Sequence, residues 1–146
     1  MTSPVRFQIA VDAADPHRLA DFWAAALGWA VEDHEPAVRA ALEAGYADDT
    51  DVVTHNGRLA WSVAAAAVLP GSTREDSGRR LLFQTVPEAK AGKNRLHLDL
   101  NVGRDRLDAE TERLTTLGAI VLYRVDEPAG FHVTLQDPEG NEFCMQ

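Results

Sequence analysis

The sequence predicts an α+β fold built from a duplicated βαβββ unit. Three observations carry that expectation. Short runs alternate apolar and polar residues with period two, the pattern of half-buried strands. Two amphipathic stretches have helix-start and helix-stop residues at their ends. The chain also repeats itself: Asp15 lies thirteen residues before Gly28 of a Leu-Gly pair, and Asp105 thirteen before Gly118 of another, an offset of 90. Upstream, the apolar faces match at an offset of 89, which pairs Phe7 with Leu96 and Gln8 with His97, and Gly78 to Gln84 matches Gly140 to Gln146 at 62. A fixed offset of this kind marks repeated supersecondary units. The expected organisation is one domain over 1–146, with module 1 over 1–88, including an extra helix near 36–46, and module 2 over 93–146.

Each element can be justified in order. In VRFQIAVD, Phe7, Ile9 and Val11 alternate with Arg6, Gln8 and Ala10, giving the first strand. DPHRLADFWAAALGW follows, with Asp15 as N-cap, Pro16 at the first helical position and Gly28 at the end. Its apolar stripe is Leu19, Phe22, Trp23, Ala26 and Leu27. Trp29 to Val31 reads as a short strand, and Pro36 to Tyr46 as a second helix closed by Gly45. Residues 47–54 hold three aspartates and little period. Leu59 to Leu69 fits a strand or a buried helix, and the flanking Asn56-Gly57 and Pro70-Gly71 turns favour a strand. Arg80 to Val86 and NRLHLDLNV are strands, and RDRLDAETERLTTLGA is a helix capped near Asp105 with Leu107, Leu114 and Leu117 inward. AIVLYR, FHVTLQ and NEFCMQ complete the second unit, joined by the Glu127–Gly130 and Asp137–Gly140 turns.

Composition narrows the function classes. A net charge of −9 disfavours nucleic acid, whose phosphates a protein of this sign repels. No run approaches the eighteen apolar residues of a membrane helix, and MTSPVRFQIAVDAAD lacks the basic region and apolar core of a secretory signal. The single cysteine, Cys144, excludes an internal disulfide and suits a reducing compartment, so a cytoplasmic protein is expected. Five of fourteen basic residues crowd into Arg79, Arg80, Lys90, Lys93 and Arg95, which reads as solvated strand ends or as an anion-attracting rim.

DPHRLADFWAAALGW, LLFQTVPEAKAGKNRLHLDL and DPEGNEFCMQ, in that order, resemble the vicinal oxygen chelate superfamily of glyoxalase I, extradiol dioxygenases and bleomycin-resistance proteins. The chain is most similar to its glyoxalase-like domains of unassigned reaction. The resemblance covers nearly the whole chain and is weakest from Glu35 to Ala60. It implies that each module curls into an open half-barrel of mixed sheet, with helices outside and a central cleft. It also implies a divalent metal, such as Zn, Ni, Fe or Mn, held by His, Gln or Glu from the first and last strands of each module. Carried over, the first-strand positions are Gln8 and His97. The last strand of module 2 normally offers Glu three residues after the Asn of its DPxGN turn, and here that residue is Cys144. Its module 1 counterpart falls at Leu82, or at Gln84 if the strand slips. The usual pair of carboxylates is therefore broken, and Glu142, of the same strand parity as Cys144, is the inward acid able to compensate.

With Leu96, Leu98 and Leu100 packed inward, His97, Asp99 and Asn101 face the expected cleft, joined by Gln8, His132 and Thr134 on neighbouring strands. Polar groups converging on a concave face suit a small-molecule pocket. Two readings stand. In the first the protein is an enzyme, a lyase, isomerase or dioxygenase acting on a small oxygenated metabolite. His97 and Asp99 are then catalytic, as acid/base and orienting acid, or a metal sits among Gln8, His97, Glu142 and Cys144. Gln8, Trp61, Gln84, Asn101, His132 and Thr134 would bind substrate, with Trp61 stacking on a flat ligand. In the second reading the protein sequesters an aromatic or antibiotic-like compound without chemistry, as bleomycin-resistance relatives do. A homodimer is implied by the resemblance. His17, His34 and His55 fall on exposed or loop positions and carry no expected role.

Overall fold

In the computed structural model, which describes residues 2–146, β1 runs over Ile9–Ala13 and alternates half-buried with exposed side chains up to the buried Ala13. The helix α1 (Pro16–Leu27) starts as expected: the Asp15 carboxylate accepts from the Arg18 amide at 3.1 Å, and Gly28 ends it with a left-handed φ of 67°. Next come β2 (Ala30–Val31), α2 (Glu35–Ala44), β3 (Val52–His55), β4 (Arg58–Trp61), β5 (Ala64–Val68) and β6 (Arg80–Thr85). β7 (Asp99–Leu100), a 3-10 turn (Arg104–Arg106), α3 (Leu107–Thr116), β8 (Ile120–Glu127), β9 (Gly130–Gln136) and β10 (Glu142–Met145) complete the chain. Contacts divide it at Pro87/Glu88 into two compact units.

The first unit holds an open four-stranded sheet in the order β1-β6-β5-β2, with β1 parallel to β6 and the other pairs antiparallel. α1 lies on β5 and β6. Its Leu19 and Trp23 are buried with Ala65, Ala67, Leu81 and Phe83 of the sheet, where alanines on β5 leave room for the bulky helix side chains. A separate hairpin, β3-β4, turns at Asn56-Gly57. The second unit repeats the order as β7-β10-β9-β8, with Leu107 and Leu114 of α3 buried with Val133, Leu135, Phe143 and Met145.

The repetition extends to register. Ala10 pairs with Leu82 and Leu82 with Ala66, while Asp99 pairs with Cys144 and Cys144 with Thr134, offsets of 89, 62 and 68. Ala30 opposite Val68 recurs as Ile120 opposite Gln136. The difference lies between β2 and β5, where residues 32–63 carry α2 and the hairpin; only Pro128 and Ala129 separate β8 from β9.

Three elements depart from expectation. The run Leu59 to Leu69 is two strands, because β4 pairs only with β3 whereas β5 joins the main sheet; Ser62 at the break bonds back to Asp51 and Thr50. NRLHLDLNV shrinks to a two-residue strand, with Leu96 exposed instead of packed inward. α3 begins from a 3-10 turn without a side-chain cap from Asp105, and Leu117, at its C-terminal end, is 37% exposed. No helix of the described residues is long and apolar enough to cross a membrane.

Candidate functional site

In the second unit, parallel pairing of β7 with β10 sets Asp99 beside Cys144, and antiparallel pairing of β10 with β9 sets Cys144 beside Thr134. Side chains paired across a sheet share a face, so the register alone gathers a carboxylate, a thiol and a hydroxyl. The Thr134 Oγ1 lies 3.4 Å from the Cys144 Sγ. His97 precedes β7, and its less regular backbone lets the ring turn back on Asp99, with Nδ1 3.1 Å from Oδ1. An ideal strand would hold these side chains roughly 6–7 Å apart at their bases. An ionised carboxylate only accepts, so this bond requires a proton on Nδ1, and in the neutral tautomer that satisfies it Nε2 bears the lone pair. Candidate ligand atoms of His97, Asp99 and Cys144 all lie within 4.8 Å of one another. Imidazole, carboxylate and thiolate together suit a borderline divalent ion such as Zn²⁺ better than hard Mn²⁺.

The remaining expected residues are placed as follows. Glu142 turns to the loop before β7, accepting from the Asn94 amide at 2.9 Å and from Lys90 Nζ at 3.3 Å. The Asn94 amide bond holds its carboxyl below the ordinary range, against partial burial and with help from Lys90. Glu142 is thus structurally engaged and outside the His97 cluster. Asn101 accepts from the Gln146 amide at 3.0 Å, and His132 meets Tyr123 edge-on at 5.9 Å between ring centres.

In the first unit, Gln8 Oε1 accepts from Arg80 Nη1 at 2.8 Å. Arg80, 4% exposed, also makes two bonds to Glu32 Oε2, and that oxygen accepts from His34 Nε2 at 2.8 Å. Burial raises the Glu32 pKa, but the Arg80 and His34 contacts outweigh it and hold the carboxyl below its ordinary value. Arg80 is therefore a buried structural cation, not part of an exposed basic rim. Gln84 is exposed on β6, and the carbonyl of Trp61 accepts from His17 Nε2 at 2.8 Å.

A feature absent from the sequence reading lies in this unit. His17, His34 and His55, expected to be exposed or in loops without a role, are only partly exposed and line one cavity of about 250 Å³ with Glu32, Arg58 and Ala65. The signal available was the Asn56-Gly57 turn, which predicts a hairpin and so fixes His55 at its tip.

No curated protein matches the chain by sequence. Solved structures are similar in fold. The fosfomycin resistance protein FosX from Mesorhizobium loti has a TM-score of 0.63 at 10% identity, covering 100% of this chain and 92% of its own. A FosX mutant from Listeria monocytogenes, complexed with Mn(II) and 1S,2S-dihydroxypropylphosphonic acid, has a TM-score of 0.60 at 11% identity, covering 100% and 90%. A possible glyoxalase from Bacillus cereus has a TM-score of 0.59 at 13% identity, covering 99% of each chain. The profile described as a glyoxalase-like domain matches residues 8–146. With its twice-repeated βαβββ sheet, the chain belongs to the glyoxalase-like domain family, within the vicinal oxygen chelate superfamily.

Proposed function

We propose that the protein is a glyoxalase-like enzyme of lyase, isomerase or dioxygenase type, acting on a small oxygenated metabolite at the His97 cluster. One observation carries the reading: Asp99 and Cys144 on paired strands and His97 just before β7 bring ligand atoms within 4.8 Å of one another. The Mn(II) in the similar Listeria protein supports a divalent ion on this fold. A bound ion would supply Lewis acidity to adjacent substrate oxygens. His97 would hold it through Nε2, Cys144 through its thiolate, and Asp99 either as a third donor or as the acid fixing the His97 tautomer. Without a bound ion, Nε2 of His97 would instead accept a proton leaving the substrate, with Asp99 stabilising the imidazolium formed. Thr134 sits beside the thiol and would orient it. Asn101 and His132 of the same unit are the proposed substrate contacts, and a second copy of the chain completes a homodimer.

Cobalt substitution tests this in protein made without a metal-binding tag. Near-ultraviolet thiolate-to-cobalt absorption is expected, absent in Cys144→Ala and weakened in His97→Ala. Its absence in the wild type overturns the metal reading. The alternative, sequestration of an aromatic or antibiotic-like compound, is favoured by Ala10, Leu82 and Ala66, which occupy the matching row of the first unit and offer no donor. A metal-free protein whose melting temperature rises with such compounds would select it.

A further inference from the structure

We propose a second metal site, in the first unit, where His17 and His55 bind a borderline divalent ion such as Zn²⁺ through their Nδ1 atoms. This site has no twin in the second unit. His55 comes from the hairpin inserted between β2 and β5, and His17 from the first turn of α1. The two rings lie 4.7 Å apart between centres with a tilt of 32°. Two imidazoles on one zinc, at nitrogen distances near 2.0–2.1 Å, bring their ring centres to about 5 Å, close to the spacing of these two rings.

The outer hydrogen bonds supply a separate argument. His17 Nε2 faces the Trp61 carbonyl at 2.8 Å, and His55 Nε2 faces Asp21 Oδ2 at 2.8 Å. A carbonyl accepts only, as does an ionised carboxylate, so each bond requires Nε2–H, and in the neutral tautomer that satisfies it Nδ1 bears the lone pair. Metal-binding histidines are characteristically anchored this way, their second nitrogen donating to a backbone carbonyl or a carboxylate. Asn56 Nδ2 fixes the other Asp21 oxygen at 3.3 Å, so the anchor is itself held. Among the described residues neither ring has a further hydrogen bond. The adjoining cavity of about 250 Å³ leaves room for water or a small chelating ligand at the open positions. His34 lines the same cavity, with its Nε2 on Glu32.

The test is Zn²⁺ titration of full-length His97→Ala/Cys144→Ala protein, which removes the second unit's donors and leaves this site alone. One bound ion per chain is expected. Adding His17→Ala or His55→Ala should weaken it at least ten-fold, His34→Ala less. Asp21→Asn, which alters only the anchor, should cost about 10–100-fold. Long-range ¹H–¹⁵N imidazole spectra of otherwise unaltered chains give a readout independent of folding defects: Zn²⁺ should shift the Nδ1 resonances of His17 and His55 and leave their Nε2–H tautomers in place. No binding by the folded double variant, or binding that leaves these Nδ1 resonances unmoved, overturns the proposal. Either result is independent of the cobalt absorption at Cys144.

Discussion

Asp137 is 1% exposed and charged, yet every oxygen it offers is used within its own turn. Oδ1 accepts from the amides of Glu139 and Asn141 at 2.9 and 3.0 Å, and Oδ2 from the Asn141 side chain at 2.9 Å. The DPEGN turn thereby launches β10 and sets Cys144 in register with Asp99. Asp137→Ala would remove these bonds from the part-buried donors of Glu139 and Asn141 and is expected to destabilise by about 3 kcal/mol, read by urea unfolding. A stability loss under 1 kcal/mol would show that the turn folds without this acid. Glu32 makes a pH-dependent contribution. Its folded pKa lies below the ordinary 4.5, so its stabilising effect is full above that value and is lost as pH falls through the depressed one. Wild type should exceed Glu32→Gln by about 2 kcal/mol at pH 7, the worth of a charge-assisted bond in a partly exposed site. That gap should shrink below about pH 4.5, and a gap constant down to pH 3 would sink the assignment.

At the scale of elements, the caps of α1 were legible because Asp15, Pro16 and Gly28 each satisfy a local backbone requirement that no tertiary contact overrides. The split of Leu59 to Leu69 was not legible. Apolar periodicity records burial, not pairing, and the half-buried β4 and largely buried β5 pair with different partners. The shortness of β7 was hidden similarly: Leu96, Leu98 and Leu100 alternate correctly, yet only the end of the run meets β10. The β3-β4 hairpin turns on Asn56 at φ 49° and Gly57 at φ 77°, both left-handed, as a two-residue turn with matching twist requires. Gly57→Ala has open space around its Cβ but strained backbone, so it should cost about 1 kcal/mol. It should also loosen the neighbouring His55 ring, visible as broadened imidazole resonances. An unchanged melting temperature would mean that the hairpin relaxes into another turn.

Across the whole chain, duplication was the most informative sequence signal. Offsets of 89 and 62 read from residue patterns reappear as strand pairing, with Asp99 and Cys144 standing where Ala10 and Leu82 stand. The candidate site was only partly legible, because its decisive contacts are made by side chains that a register cannot aim: His97 turning to Asp99, Gln8 taken up by Arg80, and Glu142 by Asn94. The same sheet order leaves β8 at an edge, with Ile120 59%, Leu122 44% and Tyr123 55% exposed. A long apolar edge strand invites pairing unless it is blunted. A register irregularity at Val121/Tyr123 and the charges of Arg124, Asp126 and Glu127 blunt its C-terminal part, leaving Ile120–Tyr123 as the adhesive segment. The homodimer proposed above is therefore expected to form along this segment. Sedimentation velocity at tens of micromolar should give a dimer for the wild type and a monomer for Ile120→Lys/Tyr123→Lys, with both proteins folded by circular dichroism. The net charge of −9 opposes association through long-range repulsion, so raising the salt concentration should strengthen the dimer. A wild type that sediments as a monomer at every salt concentration would assign the exposed β8 residues no role in self-association.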